Sequence, residues 1–161
     1  MDIIRKCRND ELPALLVIIN DGAEAYRGVI PADRWHDPYM DARMLEAEIG
    51  AGVDFWGLER DGRLIGVMGI QRVKDVALIR HAYVRTFARR AGVGGALMRH
   101  ILSATDRRVL VGTWQAATWA IAFYVRHGFR LLDAATAREL LQQYWNIPDR
   151  QVETSVVLSM P

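Results

Sequence analysis

The sequence predicts a mixed α/β fold in which a mostly antiparallel central sheet is flanked by helices. Three β-like runs follow one another between Val53 and Val84 with only tight turns between them. The apolar period then changes from two to 3.6 at Gly92, and strands and helices alternate to the end of the chain.

Taken in order, Ile3 to Cys7 reads as a first strand. Asn9 or Asp10 supplies an N-cap, and Pro13 sits in the first turn of an amphipathic helix running to about Asn20. A loop through Asp21-Gly22 and Tyr26 to Pro31 leads to a helical region over about Asp33 to Ile49, interrupted near Pro38 and closed by Gly50 and Gly52. Val53 to Glu59 and Arg63 to Gln71 are strands joined at Asp61-Gly62, a dipeptide that tolerates the positive φ angles of a two-residue hairpin. After a turn near Lys74-Asp75, Val76 to Val84 is the third strand of the meander.

Gly92 to Ala104 places Val93, Ala96, Leu97, Ile101 and Ala104 on one helical face. Arg108 to Trp114 is a strand, Ala116 to Arg126 a helix ended by Gly128, and Phe129 to Leu132 a short strand. Ala134 to Tyr144 is a further helix. Pro148 breaks the chain, and Val152, Thr154, Val156 and Leu158 alternate along a final strand from Gln151 to Leu158. No repeat or low-complexity linker divides the 161 residues, so one domain over 1–161 is expected.

Bulk composition narrows the function classes. A net charge of +2 is far from the basic excess of a nucleic-acid binder, and no stretch approaches the roughly 18 apolar residues of a membrane span. The N-terminus meets Arg5, Lys6 and Arg8 before any long apolar run, so it has no signal-peptide core, and the single Cys7 excludes an internal disulfide framework or a multi-cysteine zinc site. The expectation is a cytoplasmic protein with no nucleic-acid partner, no membrane partner and no metal.

Charge is nevertheless unevenly placed. From Val76 through Thr105 there is neither Asp nor Glu, whereas Arg80, Arg85, Arg89, Arg90 and Arg99 fall there with His81 and His100. At the centre of this region Arg89-Arg90-Ala91-Gly92-Val93-Gly94-Gly95-Ala96 connects a buried strand to a helix. A helix start offers unpaired N–H groups and the positive end of the macrodipole, glycines let a phosphate approach the backbone, and arginines add charge. The pattern points to a diphosphate ligand. The Gly-Lys-Ser/Thr ending of a P-loop is missing, and the glycines lie in mid-chain after hairpin strands rather than in the first βαβ unit of a dinucleotide fold. Glycines alone would also suit a tight turn.

Arg89-x-x-Gly92-x-Gly94 resembles the acetyl-CoA motif R/Q-x-x-G-x-G/A of the GNAT acetyltransferase superfamily, and Ala120-Ile121-Ala122-Phe123-Tyr124-Val125-Arg126-His127-Gly128-Phe129 resembles its second element, an alanine and a tyrosine on a helix ending in x-G-F. The order of elements agrees along almost the whole chain. The resemblance implies a GNAT-like acyl-CoA N-acyltransferase fold and an N-acetyltransferase that uses acetyl-CoA as donor and a small-molecule or peptide amine as acceptor. The rival from another class is a non-catalytic acyl-CoA-binding sensor or interaction module.

By the same resemblance, the backbone at Tyr83 and Val84 would bond the pantetheine arm where the strand splays from its neighbour. The segment Arg89, Arg90, Ala91, Gly92, Val93, Gly94, Gly95 and Ala96 would hold the pyrophosphate, with Ala120, Phe123 and Arg126 adding contacts from the later helix. Tyr124 matches the tyrosine that protonates the departing thiolate. Ala117 stands where the family often has Asn. The glutamate that many relatives use as base on the strand before the motif is missing; the nearest acid is Asp75, and His81 is the first candidate for the base, with His36, Glu24 and Tyr26 open as contributors. Trp35 and Trp56 are placed near the acceptor side, where an aromatic-lined pocket and simple core filling are both open. Tyr144-Trp145-Asn146-Ile147-Pro148 would close that pocket or serve a homodimer contact.

Overall fold

A computed structural model describes residues 1–160. Its seven strands are β1 (Asp2–Lys6), β2 (Val53–Arg60), β3 (Arg63–Val73), β4 (Val76–Val84), β5 (Arg108–Trp114), β6 (Arg130–Leu131) and β7 (Ser155–Met160). They form one sheet in the order β1-β2-β3-β4-β5-β7-β6. Every pairing is antiparallel except β4 with β5, so the expected mixed, mostly antiparallel sheet is the observed one. The β2–β3 hairpin turns at Asp61 and Gly62, with φ of 52° and 80°, which is the geometry a two-residue turn matching strand twist requires.

Six helices cover the sheet: α1 (Leu12–Ala23), α2 (Ala42–Gly50), α3 (Val93–Ser103), α4 (Thr118–Arg126), α5 (Ala134–Tyr144) and the short α6 (Asp149–Glu153). On one face, Val93, Leu97, Met98 and Ile101 of α3 and Tyr124 of α4 pack against Leu58, Met68, Ala77 and Ile79. On the other, Leu15, Ile18 and Ile19 of α1 and Leu45 of α2 meet Val53, Phe55 and Val67, while α5 covers Val76, Leu78 and Leu110 nearer the β5–β7 edge. The alternation of strand side chains therefore feeds two cores from one sheet. Removing one fully buried side chain here, such as Leu97 at 0% exposure, would cost about 2–5 kcal/mol.

Two elements depart from the sequence expectation. The helix anticipated over Asp33–Ile49 contracts to Ala42–Gly50 with only a 3-10 turn at Ala32–Arg34. Asp41 accepts from the Met44 amide at 2.8 Å and starts the helix there, and the Asn20 side chain engages both backbone groups of Met40, at 2.8 and 2.9 Å, so the preceding segment is satisfied without helical bonds. The last strand begins at Ser155 rather than Gln151. Residues Asp149–Glu153 instead wind into α6 directly after Pro148, which has no amide to lose at a helix start.

Candidate active site

The site is organised by a ladder that stops early. β4 and β5 pair in parallel from Val76 opposite Arg108 to Ile79 opposite Val111, and beyond that rung the described strands run on without pairing to each other. On its other edge β4 carries a bulge: Val67 pairs with Tyr83 and Gly69 with Arg80, so one extra residue is accommodated and His81 takes φ of 56°. A non-glycine residue in that region is uncommon and persists where its surroundings hold it. Strand, gap and bulge thus coincide at residues 80–84.

Two cavities meet at this gap. The larger, of about 470 Å³, lies on the α3–α4 side, a volume suited to a cofactor-sized ligand. Tyr83 and Val84 line it from β4, and Arg89, Arg90 and Gly94 from the glycine segment. Ala120, Phe123, Tyr124 and Arg126 line it from α4. Ala91, Gly92, Val93, Gly95 and Ala96 do not; Val93 is buried in the core, and Gly95 faces the His127 ring. Gly22, Met68 and Trp119 also line it, which the sequence reading missed because nothing local marks them.

Gly92 is the left-handed N-cap of α3, with φ of 79°, and the first helical acceptor is its carbonyl, taken by the Ala96 amide at 3.0 Å. The amides of Val93, Gly94 and Gly95 therefore precede the helical ladder, as an anion site at a helix start requires. The loop before them is tethered to α1. Asp21 accepts from the Arg85 guanidinium at 2.9 Å and from the Thr86 amide at 2.8 Å, and Arg89 donates to the Gly22 carbonyl at 3.2 Å. Gly94 has a second reason to lack a side chain, since a Cβ there would lie 3.1 Å from the Phe123 ring.

Tyr124 is buried at 7% exposure, in edge contact with Phe123 and Phe129. Burial, with Tyr26 nearby, pushes its phenol well above the ordinary range, so the hydroxyl stays protonated at physiological pH and can donate. Ala117 is fully buried with Ile30 and Trp114 at the start of α4, where no side chain caps the helix.

The smaller cavity, of about 130 Å³, opens on the opposite side of the gap, between Tyr26, Tyr39, His81, Thr113 and Trp145. Tyr26, Ala82, Tyr83 and Tyr124 line both cavities and form the wall between them. Trp145 and Ile147 show that the aromatic loop before α6 packs over this cavity, whereas Tyr144 turns away and donates to Asp75 at 2.7 Å. Of the contributors left open by the sequence, Tyr26 reaches the cavity; Glu24 is exposed and paired with Arg27 at 2.9 Å, and His36 is exposed. Trp35 packs on Tyr39, but Trp56 lies in the opposite core against His100, 4.7 Å between ring centres, because its β2 position points to the α3 face.

The carboxylate absent from β4 arrives from elsewhere. Glu48 of α2 touches His81 Nε2 with one oxygen and accepts from Arg80 at 3.0 Å with the other. Burial pushes the Glu48 carboxyl up, but the hydrogen bond from His81, with the Arg80 charge beside it, holds it below the usual carboxylate range. Arg80 also bonds Gln71 at 3.1 Å.

A helix start with unpaired amides lies beside the strand gap, with a second cavity across it. The acetyltransferase (GNAT) domain model matches residues 51–131, half of the chain, and the protein belongs to that family. Among solved structures, the fold is similar to a GNAT-family acetyltransferase from Staphylococcus aureus Mu50 (TM-score 0.73, 16% identity, 100% of both chains). It is also similar to the ribosomal-protein-S18-alanine N-acetyltransferase of Escherichia coli (TM-score 0.68, 18% identity, 100% of this chain and 94% of that one). A GNAT family acetyltransferase from Elizabethkingia anophelis with acetyl-CoA bound gives a TM-score of 0.65 at 16% identity, over 99% of this chain and 97% of that one. No curated protein matches the sequence significantly.

Proposed function

We propose that residues 1–161 form a single N-acetyltransferase domain that moves an acetyl group from acetyl-CoA to a primary amine. The observation that carries this reading is the shared wall: Tyr26, Ala82, Tyr83 and Tyr124 stand between a cofactor-sized cavity and a small polar one, at the point where β4 leaves β5. A donor held in the first cavity and an amine in the second would meet there. Proximity of this kind is worth several kcal/mol of barrier. Family membership and solved relatives with acetyl-CoA or coenzyme A bound support the donor.

The amides that precede the α3 ladder, of which Gly94 lines the larger cavity together with Arg89 and Arg90, are suited to the pyrophosphate, and the unpaired edge of β4 at Tyr83 and Val84 to the amide-bearing arm. In the reaction the amine nitrogen bonds to the thioester carbonyl carbon and the carbon–sulfur bond breaks. His81 takes the proton the amine loses, and Tyr124 gives its proton to the departing sulfur. Burial keeps Tyr124 protonated for that role.

The acceptor is a small-molecule or peptide amine; the names of the solved relatives include both an alanine N-acetyltransferase and an N-acetylglutamate synthase. The missing β4 carboxylate favours a non-catalytic acyl-CoA sensor, and Glu48 beside His81 weighs against it. No helix of the described residues is long and apolar enough to cross a membrane, and no group of three metal-binding side chains occurs among them. We place the protein in the cytoplasm.

Isothermal titration calorimetry with acetyl-CoA, against dephospho-CoA and NAD, tests the donor. Thiol release with phenethylamine, glutamate, an alanine-terminated peptide and a lysine peptide tests the acceptor. Selective binding followed by amine-dependent thiol release supports the reading; a folded chain that does not bind acetyl-CoA refutes it.

A further inference from the structure

We infer that Glu48 is a positioning residue that fixes His81 with its proton on Nε2, leaving Nδ1 as the nitrogen that accepts the acceptor's proton. The inference deepens the catalytic reading of His81 above and rests on it.

The geometry begins with the bulge. The positive φ of His81 displaces the residue from the regular ladder, with its ring between Phe55 and Tyr83, centroids 6.2 and 6.4 Å away. Its side chain is 15% exposed and lines the smaller cavity. Nε2 and the Glu48 oxygen it touches are both buried and have no other partner, so each depends on the other. A neutral imidazole has one N–H and one acceptor nitrogen. A carboxylate accepts only, and the proton must therefore sit on Nε2.

The charges around the pair keep Glu48 ionised. Arg80, adjacent on β4, binds its other oxygen. Tyr83 on β4 and Tyr39 in the loop before α2 are the other titratable groups packed around it, and burial keeps both phenols neutral. Phe55, from β2, contributes no charge. When Nδ1 takes a proton from the amine, the ring becomes a cation facing a carboxylate already held at 3.0 Å by a guanidinium, and Glu48 remains an anion throughout.

The test is nitrogen-15 NMR of the full-length chain with labelled histidine, at a pH where the imidazoles are neutral, with H81N identifying the His81 signals. Nε2 should give the protonated and Nδ1 the unprotonated signature; the opposite tautomer overturns the assignment. In parallel, E48Q should lower the plateau of kcat/KM about tenfold or more with the fastest amine of the panel above. It should also move the acidic limb of the profile to lower pH and leave acetyl-CoA affinity unchanged, while E48D recovers part of the loss. An E48Q profile superimposable on the native one overturns the positioning role. A native chain that binds acetyl-CoA but acetylates none of the amines refutes the catalytic reading instead, and the NMR arm still decides the tautomer. Thermal melts of E48Q and E48D separate a folding defect from a kinetic one.

Discussion

Ile79 and Val111 form the last rung between β4 and β5, and both cavities open where the strands continue without that pairing. Backbone groups freed at such a point cost free energy unless something satisfies them. A gap in an otherwise continuous sheet is therefore a place for a ligand with amides of its own.

The tether between Asp21 and the loop that follows β4 should matter for binding at a distance from the ligand. Asp21→Asn removes the charge that receives Arg85 and the Thr86 amide. We expect acetyl-CoA affinity to fall about tenfold and stability to fall by about 1–2 kcal/mol. Calorimetry and urea melts check the two effects, and an unchanged affinity would show that the loop holds its shape without the tether.

At Gly94 a Cβ would lie 3.1 Å from the Phe123 ring. Gly94→Val should push α3 and α4 apart and weaken acetyl-CoA binding by at least tenfold, with a loss of about 1–3 kcal/mol in stability from overpacking. Unchanged affinity in the folded variant would remove the glycine segment from the phosphate site.

Replacing the Tyr124 hydroxyl isolates its chemical role. The ring of Tyr124→Phe still fills the contacts with Phe123 and Phe129, so the fold and cofactor affinity should be preserved. Turnover should drop by about a hundredfold, the range of one proton-transfer group. Steady-state kinetics beside calorimetry make the comparison, and equal turnover would exclude this tyrosine as the acid.

Acid stability should depend on Glu11. Side-chain bonds from Arg5, both at 2.8 Å, pull its carboxyl down to about 2 against the opposing effect of burial, with the Arg8 amide adding at 2.7 Å. Because the folded value lies below the unfolded one, the stabilisation is complete above the unfolded value of about 4.3 and fades as pH falls toward about 2. Glu11→Gln should cost about 1–2 kcal/mol at pH 7 and almost nothing near pH 2. Urea melts across that range would show the gap closing, and a constant gap would contradict the linkage.

Much of the fold was legible because its signals are local. Asp61-Gly62 marks a hairpin by its own backbone preferences, and Gly92 to Ala104 declares a helix by its apolar spacing. The failures are where local signals competed with distant partners. Nothing around Met40 states that Asn20 will satisfy its backbone, so a helix can be read through it; Gln151–Glu153 reads as the start of the last strand, although it belongs to α6, because Val152 and Thr154 continue the alternation of β7.

The sequence by itself determined the order of elements as far as α5, the hairpins, and the glycine segment that caps α3, since each depends on neighbours a few residues apart. Only the tertiary structure decided that β4 and β5 part after Ile79, that Tyr124 stands in the wall between two cavities, and that Glu48 meets His81. The last contact joins residues 33 positions apart, 48 and 81. Packing of α2 across the sheet creates it, and that packing is a property of the whole core rather than of any segment of the chain.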